Sequence, residues 1–344
     1  MNVLNCKINI LCQMRLLLGG SSCRGESEIY KVIQKLIDRP EFLRRSFYWL
    51  LLTSMLLNGV IFRNNDYFSI LFILLATNFG LAYSHKSPVF LFLVNVLVVT
   101  IRFFFIPIES LTLGIFITRV LTYYVVAVIS AALMQHAIKI KNNQLELIKA
   151  LSTALDYRDT YTMNHSLNVA RYAVSIAEEM NLSRGSIDII RTGALLHDIG
   201  KIGIPEDILM KNGKLTDEEY KTIQSHAEIG YQMINHIDDY RKNGVLDIVR
   251  YHHERYDGTG YPEGLKGRDI PLFARIVAVA DAFDAMTSKR VYRDEFDMAY
   301  TLDQLVKNKS KQFDPEITDA FLNVLNRNKE FKINEKTVSR SILE

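Results

Sequence analysis

The sequence contains very little cysteine and carries almost no net charge. Its only cysteines among 344 residues are Cys6, Cys12 and Cys23, which excludes a disulfide-stapled domain and favours a reducing compartment. The net charge of +3 is too small to indicate a basic surface that binds nucleic acid, so we expect no nucleic-acid polymer as a partner. Residues 1–45 lack the uninterrupted apolar core of a secretory signal, because Gln13 and Arg15 interrupt it. We expect these residues to form a cytoplasmic segment.

Long apolar runs, in contrast, are concentrated between residues 46 and 135. Four apolar segments lie there, each near the ~20 residues that a membrane-spanning helix needs; they cover residues 46–62, 67–83, 88–100 and 112–134. Arg44 and Arg45 precede the region and Lys139 and Lys141 follow it, so the positive-inside rule places both ends in the cytoplasm. We predict about four transmembrane helices over 46–135, in a multi-pass protein of the cytoplasmic (inner) membrane. A soluble, buried helical domain would have too little polar surface to cover these segments.

A charged region with helical periodicity follows the apolar segments. We predict a connecting helix over residues 136–150, from which an apolar stripe of Ile148, Leu151 and Leu155 continues. This stripe could pair with its copy in a homodimer, or it could pack within its own domain. Residues 326–344 form a polar tail for which the sequence predicts nothing.

Several helical segments of the carboxyl-terminal region place a histidine or a carboxylate on their apolar face. One turn before Val169 lies His165, and one turn after Val277 lies Asp281. The segment LLHDIGKIGIP adds an adjacent pair, with glycines that let the backbone turn away. The predicted inward-facing set is His165, His197, Asp198, His226, His252, His253, Asp281 and Asp284.

The segment around His226 carries two further local predictions. Thr216 and Glu219 have the spacing of a capping box at a helix start. The stripe that runs from Tyr220 through Ala227 to Met233 is predicted to face the core beside His226.

So many buried imidazoles and carboxylates require a shared partner. Burying each without one would cost on the order of several kcal/mol, so we expect them to surround a metal ion. Nitrogen and carboxylate ligands without cysteine suit iron, manganese or zinc. The residues alone do not rank these three metals.

Three segments, HDIGKIGIP, HHERYDGTGYP and DAFDAMTSKRVYR, resemble the motifs of the HD-GYP domain, a subgroup of the HD phosphohydrolases. The resemblance covers residues 147–325 and includes YTMNHS ahead of the first motif. It implies an all-α, multi-helix catalytic domain, here preceded by the α-helical transmembrane region. It also implies a metal-dependent phosphodiesterase that hydrolyses the bacterial messenger cyclic di-GMP to pGpG, and in some members on to GMP; the apolar segments predict that this enzyme is membrane-anchored. The alternatives are a cyclic-dinucleotide receptor with little turnover and an HD hydrolase of another nucleotide.

The resemblance also implies roles for individual residues. The implied metal ligands are His165, His197, Asp198, His226, His252, His253 and Asp281, with Asp198 bridging two ions. Asp198 and Lys201 are implied to be catalytic, and the implied substrate contacts are Lys201, Tyr261, Arg290 and Arg293. Gly260, Tyr261 and Pro262 form the loop that names the subgroup, for which a purely structural turn is the alternative reading. Val291 and Tyr256 stand where the subgroup often has proline and tryptophan, outside the implied ligand set.

The number of metal ions depends on Tyr161. It lies one turn before His165, where some relatives with an extra metal carry glutamate. A phenol with a pKa of about 10 is a poor ligand at neutral pH, whereas a carboxylate is already charged. We therefore predict two divalent ions, iron or manganese.

Overall fold

The structure, a computed structural model, describes residues 39–58, 70–105, 112–158, 164–211, 213–288 and 298–327. Within these ranges the chain forms helices and a single isolated bridge, and no β-strand. The predicted all-α fold is therefore confirmed. The chain divides into two compact units, Met1–Asn142 and Asn143–Glu344.

In the described residues of the amino-terminal unit the chain forms four apolar helices. They are α1 (Pro40–Leu56), α2 (Ile70–Ala82), α3 (Pro88–Phe105) and the first part of α4 (Leu113–Arg158). Phe47, Phe72, Phe79, Val99 and Ala127 form the centre of its core, and all five are buried. Because so much of each helix is apolar, many large side chains also remain on the outside of this unit.

Only one helix in the described ranges has the length and composition to cross a membrane. Helix α4 contains 46 residues, with a mean hydropathy of 1.8 in its most apolar window. Helices α2 and α3 are apolar but shorter, and part of the predicted segment 46–62 lies outside the described residues. The helix lengths therefore support one of the four predicted crossings and do not support a multi-pass arrangement.

The carboxyl-terminal unit begins with the end of α4 and continues through shorter helices. These are α5 (His165–Glu179), α6 (Arg184–Leu196), α7 (Glu206–Leu209), α8 (Asp217–Gln224), α9 (His226–Ile234), α10 (Asp238–Asn243), α11 (Val245–Tyr251), α12 (Leu272–Thr287), α13 (Met298–Lys307) and α14 (315–327). Short 3-10 helices cover Ile199–Gly203 and Gly267–Asp269.

The predicted apolar faces of α5 and α12 form the centre of this unit. Val169, Ala173 and Ile176 of α5 are fully buried, as are Val277 and Ala280 of α12. Full burial of each larger aliphatic side chain contributes about 1.5–3 kcal/mol. Since these faces pack together, His165 and Asp281 are held at the edge of the same core.

The predicted stripe beside His226 is only partly correct. The capping box of Thr216 and Glu219 is present, and Ala227 is buried. Tyr220 and Met233, however, are 53% and 38% exposed. For Tyr220 the reason is that α8 ends at Gln224 and α9 begins at His226, so the predicted helix is interrupted. Met233 lies in α9 six residues after Ala227, which places it about 120° away around the helix.

Helix α4 contains the residues predicted for the connecting helix. Leu155 is buried, and Ile148 packs against the core of the carboxyl-terminal unit. Leu151 is 47% exposed, and Leu147, one turn before it, is 71% exposed. For Ile148 and Leu155, packing within their own domain is therefore the correct alternative.

Candidate metal centre

The structure brings all seven predicted ligands together from five helices: six lie at or just beyond the ends of α5, α6, α9 and α11, and Asp281 lies within α12. Their ligand atoms form two groups, each within 4.8 Å: one contains Asp198, His226, His252 and His253, and the other contains His165, His197 and Asp281. Asp198 lies close to both groups, since its Oδ1 is 3.4 Å from His226 Nε2 and its Oδ2 is 3.2 Å from His197 Nε2. The two groups are therefore parts of one centre.

A close backbone approach places Asp198 next to His226. A Cβ atom on Gly200 would lie 1.9 Å from the backbone oxygen of His226 and 2.5 Å from the nitrogen of Gly230. Only glycine lets the 3-10 helix after the ligand pair lie directly against the start of α9. Gly200, predicted to let the backbone turn, thus also allows Asp198 and His226 to lie next to each other.

Backbone carbonyl groups fix the orientation of three histidines. In each case Nδ1 donates to the carbonyl oxygen three residues earlier: His197 to Ala194 at 2.7 Å, His226 to Ile223 at 2.6 Å and His252 to Val249 at 3.0 Å. Because a carbonyl oxygen only accepts, Nδ1 carries a proton in each ring and Nε2 points toward the centre.

The arrangement of these Nε2 atoms suits a bound cation. The Nε2 atoms of His226 and His252 lie 3.4 Å apart, and two lone pairs that face each other repel unless a positive ion lies near them. The Nε2 of His197 is buried and has no hydrogen-bond partner within the described part of the chain. A metal ion would satisfy all three nitrogens, so the donor set fits the predicted group.

Burial keeps the imidazoles of His226, His252 and His253 neutral. It lowers the pKa of His226 and moves the pKa of His252 well below its ordinary value, with further lowering from neighbouring histidines. Burial, together with competition from the neighbouring His226 for a positive charge, lowers the pKa of His253 to about 3. Neutral imidazoles are the form that binds metals.

The two carboxylates remain ionised despite their burial. Burial alone would raise the pKa of Asp198, but Lys201 and His197 hold it well below its ordinary value. Burial likewise opposes ionisation of Asp281, but a hydrogen bond from His165 and the electrostatic effect of His165, His197 and His253 together outweigh burial and lower its pKa. The centre therefore offers two anionic ligands to a cation.

Asp284 orients His165. Its buried Oδ2 accepts a hydrogen bond of 2.7 Å from His165 Nδ1, which turns Nε2 toward Asp281 Oδ1 at 3.2 Å. Burial lowers the pKa of His165, but the hydrogen bonds to Asp281 and Asp284 outweigh it and raise the pKa to about 10. The sequence placed Asp284 on the inward face, three residues after Asp281, without predicting this role.

The other predicted site residues divide into two sets. Lys201 Nζ lies 2.8 Å from Asp198 Oδ2, and the ring of Tyr261 stacks on His253 with 4.8 Å between centroids. Both therefore lie beside the centre. Arg290 and Arg293, together with Tyr161, lie outside the described residues.

Contacts to its backbone hold the loop that carries Tyr261 in place. A Cβ atom on Gly260 would lie 2.3 Å from the backbone nitrogen of Arg255, so this position requires glycine, and Pro262 follows Tyr261 directly. The buried carboxylate of Glu254 accepts hydrogen bonds from three successive backbone N–H groups, those of residues 263, 264 and 265, at 2.8, 3.0 and 3.0 Å. No sequence pattern predicted this function of Glu254, although it directly follows the double histidine.

Comparison with known proteins gives a family match and similar proteins of named activity. Residues 139–317, more than half of the chain, match the family model described as HD domain. The chain is 41% identical over 185 residues to the cyclic di-GMP phosphodiesterase response regulator RpfG of Xanthomonas campestris, covering 54% of this chain and 49% of that protein. It is 41% identical over 177 residues to a cyclic di-GMP phosphodiesterase of Thermotoga maritima, covering 52% and 48%.

A third similar protein is named for a different cyclic dinucleotide. It is 3'3'-cGAMP-specific phosphodiesterase 2 of Vibrio cholerae, 35% identical over 185 residues, with 54% of this chain and 35% of that protein covered. The chain thus spans about half the length, or less, of the curated relatives it matches.

Proposed function

Because the chain belongs to the HD domain family, we propose that it is a metal-dependent phosphodiesterase of the HD-GYP subgroup that hydrolyses cyclic di-GMP to pGpG or further to GMP. The observation that carries the proposal is the complete cluster of seven histidine and aspartate ligands. The cluster lies within residues 139–317, which match the HD domain model, and the chain resembles proteins named cyclic di-GMP phosphodiesterases. The loop of Tyr261 beside His253 supports the subgroup.

The proposed cofactor is a pair of divalent ions, iron or manganese. One ion would be held by Asp198, His226, His252 and His253, and the other by His165, His197 and Asp281. The position of Asp198 supports a bridging role, because its two oxygens face different groups. Bound there, two cations would activate water at neutral pH and neutralise charge on the phosphate oxygens.

The neighbouring side chains would bind and orient the substrate. Lys201 places an ammonium group at the edge of the centre, where it would stabilise charge that develops on a phosphate oxygen. Tyr261 presents its ring on the other side, over His253. We assign the same phosphate-binding function to Arg290 and Arg293 on the sequence resemblance alone.

Hydrolysis of a nucleotide panel by the whole chain tests the proposal. The protein, loaded with iron or manganese without oxygen, is incubated with cyclic di-GMP, 3′3′-cGAMP and pGpG, and products are separated by chromatography. We expect cyclic di-GMP to be consumed by the wild type. Asp198→Ala and His252→Ala should lose both metal and activity, whereas His236→Ala, an exposed histidine outside the cluster, should lose neither.

The outcomes separate the competing functions. Preferred turnover of 3′3′-cGAMP would assign the activity named for the Vibrio cholerae relative. Binding of a cyclic dinucleotide without turnover by the metal-loaded protein would favour a receptor. Full activity of the metal-free Asp198→Ala variant would contradict the proposed centre.

We propose further that the amino-terminal unit anchors the phosphohydrolase domain, residues 147–325, on the cytoplasmic side of the membrane. The length and apolar composition of α4 support this anchor, as do exposed apolar side chains such as Trp49, Leu97 and Leu133. The proposal of four crossings rests on the sequence segments. Resistance of the membrane-bound protein to carbonate extraction is expected, and a reporter after Glu344 that is active only outside the cytoplasm would contradict the orientation.

We also propose a homodimer through α4. Leu147 and Leu151 lie one helical turn apart and remain exposed, so they could form an apolar contact with a second copy. Leu147→Glu should weaken dimerisation in light-scattering measurements, whereas Glu146→Gln beside it should not. A wild-type monomer at all accessible concentrations would contradict this contact.

A further inference from the structure

The last turn of α4 contacts the two segments that carry ligands of the metal centre. Asp156 binds the start of α5, directly after His165, and Arg158 binds the 3-10 helix that follows the pair His197 and Asp198. Neither Asp156 nor Arg158 belongs to the ligand set.

Arg158 holds the backbone around Lys201. Its Nη1 donates to the carbonyl oxygens of Lys201 and Ile202 at 2.9 and 2.8 Å, and its Nη2 donates to that of Ile204 at 2.9 Å. Lys201 and Ile202 lie in the last turn of the 3-10 helix and Ile204 directly follows it, with the N–H of Ile204 also donating to the Lys201 carbonyl group at 3.1 Å. The planar guanidinium group can donate to all three carbonyl groups at once, which the single ammonium group of a lysine cannot do in the same geometry.

Asp156 holds the other segment. This buried carboxylate accepts hydrogen bonds from the backbone nitrogen and from Oγ of Ser166, at 3.1 and 2.6 Å. Ser166 is itself buried and directly follows the ligand His165. Helix α4 therefore fixes the backbone on both flanks of the centre.

The 3-10 helix is thus confined from two directions. Gly200 lies against the carbonyl oxygen of His226, and Arg158 holds the carbonyl groups of residues 201, 202 and 204. Between these contacts the ammonium group of Lys201 reaches Asp198 at 2.8 Å. The backbone position of Lys201, and with it the place of its ammonium group, depends on both contacts.

We infer that Arg158 is a positioning residue that acts through Lys201, and this inference rests on the proposed function for the substrate contact of Lys201. The guanidinium group donates to backbone carbonyl groups of residues 201, 202 and 204 and not to a metal ligand; it fixes the backbone from which Lys201 extends. Any displacement of the last turn of α4 consequently moves the backbone of Lys201. The helix that begins at Leu113 would thereby influence phosphate binding.

Hydrogen exchange measured by mass spectrometry tests the contact without any assay of activity. In Arg158→Gln, the amides of residues 201–204 should exchange faster than in the wild type, because the carbonyl groups of their turn lose three hydrogen bonds. The matched control is Arg241→Gln, since the Arg241 guanidinium also donates to a backbone carbonyl group, that of Asn235. Unchanged exchange at 201–204 in Arg158→Gln would overturn the inference, whatever the wild type hydrolyses.

A double-mutant cycle on the metal-loaded whole chain tests the route through Lys201. Arg158→Gln should lower kcat/KM by about tenfold, since small misplacements of a positioning group have effects of this order or larger. In a Lys201→Ala background the same change should have almost no effect, because residues that act through one another are not additive. Arg158→Lys should recover only part of the loss, and metal content should stay that of the wild type throughout.

Two results would overturn the inference in the kinetic arm. One is an equal loss in both backgrounds, and the other is a loss of metal in Arg158→Gln that matches its loss of activity. If the wild type hydrolyses no cyclic dinucleotide, the proposed function fails, and accelerated exchange at 201–204 would still support positioning of the Lys201 backbone by Arg158.

Discussion

The substitution Asp284→Asn should weaken metal binding without removing a ligand. The carboxylate accepts a hydrogen bond of 2.7 Å from His165 Nδ1, and asparagine can still accept one through its amide oxygen. The ring of His165 therefore keeps its orientation but loses the adjacent negative charge. A histidine ligand paired with a carboxylate is a stronger base than one paired with a neutral acceptor.

The expected loss follows from the kind of hydrogen bond that changes. Loss of such a supporting partner typically weakens metal affinity by about 10- to 100-fold, which corresponds to about 1.4–2.7 kcal/mol. A hydrogen bond to a charged group contributes about 1.5–3 kcal/mol, against about 0.5–1.5 kcal/mol for a neutral pair. The difference between a charged and a neutral hydrogen bond is thus of the same order as the expected loss of binding free energy. Asp284 is almost fully buried, so water screens the contact little.

Competition with a chelator, read by elemental analysis, measures this affinity. Asp314→Asn is the matched control, since Asp314 is also a buried carboxylate but pairs with Arg275 outside the cluster. The control should lower the unfolding temperature and leave metal affinity unchanged. Wild-type affinity in Asp284→Asn, or an equal loss of affinity in both variants, would refute the reasoning.

Three further substitutions test the supports of the centre. Gly200→Ala places a methyl group 1.9 Å from a backbone oxygen, so urea titrations should give a free energy of unfolding lower by about 3 kcal/mol; Gly185→Ala, which meets nothing closer than 3.8 Å, should not lower it. Glu254→Gln should speed hydrogen exchange at residues 263–265, and wild-type rates there would contradict its support of the loop. Thr216→Ala removes a helix cap and should reduce stability by about 1 kcal/mol without loss of metal.

Helical periodicity predicted which side chains face inward because it is a local property. His165 and Asp281 could be placed from Val169 and Val277, one turn away, and both lie at the edge of the core. The same reasoning failed for Tyr220, since a pattern with a 3.6-residue period does not reveal that the helix is interrupted at Ser225. Contacts such as that of Asp284 with His165 join residues 119 positions apart, and no local pattern specifies them.

One part of the centre was local and yet went unpredicted, namely the hydrogen bonds that orient the histidines. The acceptors for His197, His226 and His252 all lie in the last turn of a preceding helix, where carbonyl groups have no partner within the helix. A histidine just beyond such an end can bind one of these carbonyl groups through Nδ1, which leaves Nε2 for a metal. His197 and His252 directly follow the ends of α6 and α11, and His226 lies two residues after the end of α8 as the first residue of α9. A histidine one or two residues beyond a helix end can therefore be oriented by a purely local hydrogen bond, which the sequence could have indicated for all three.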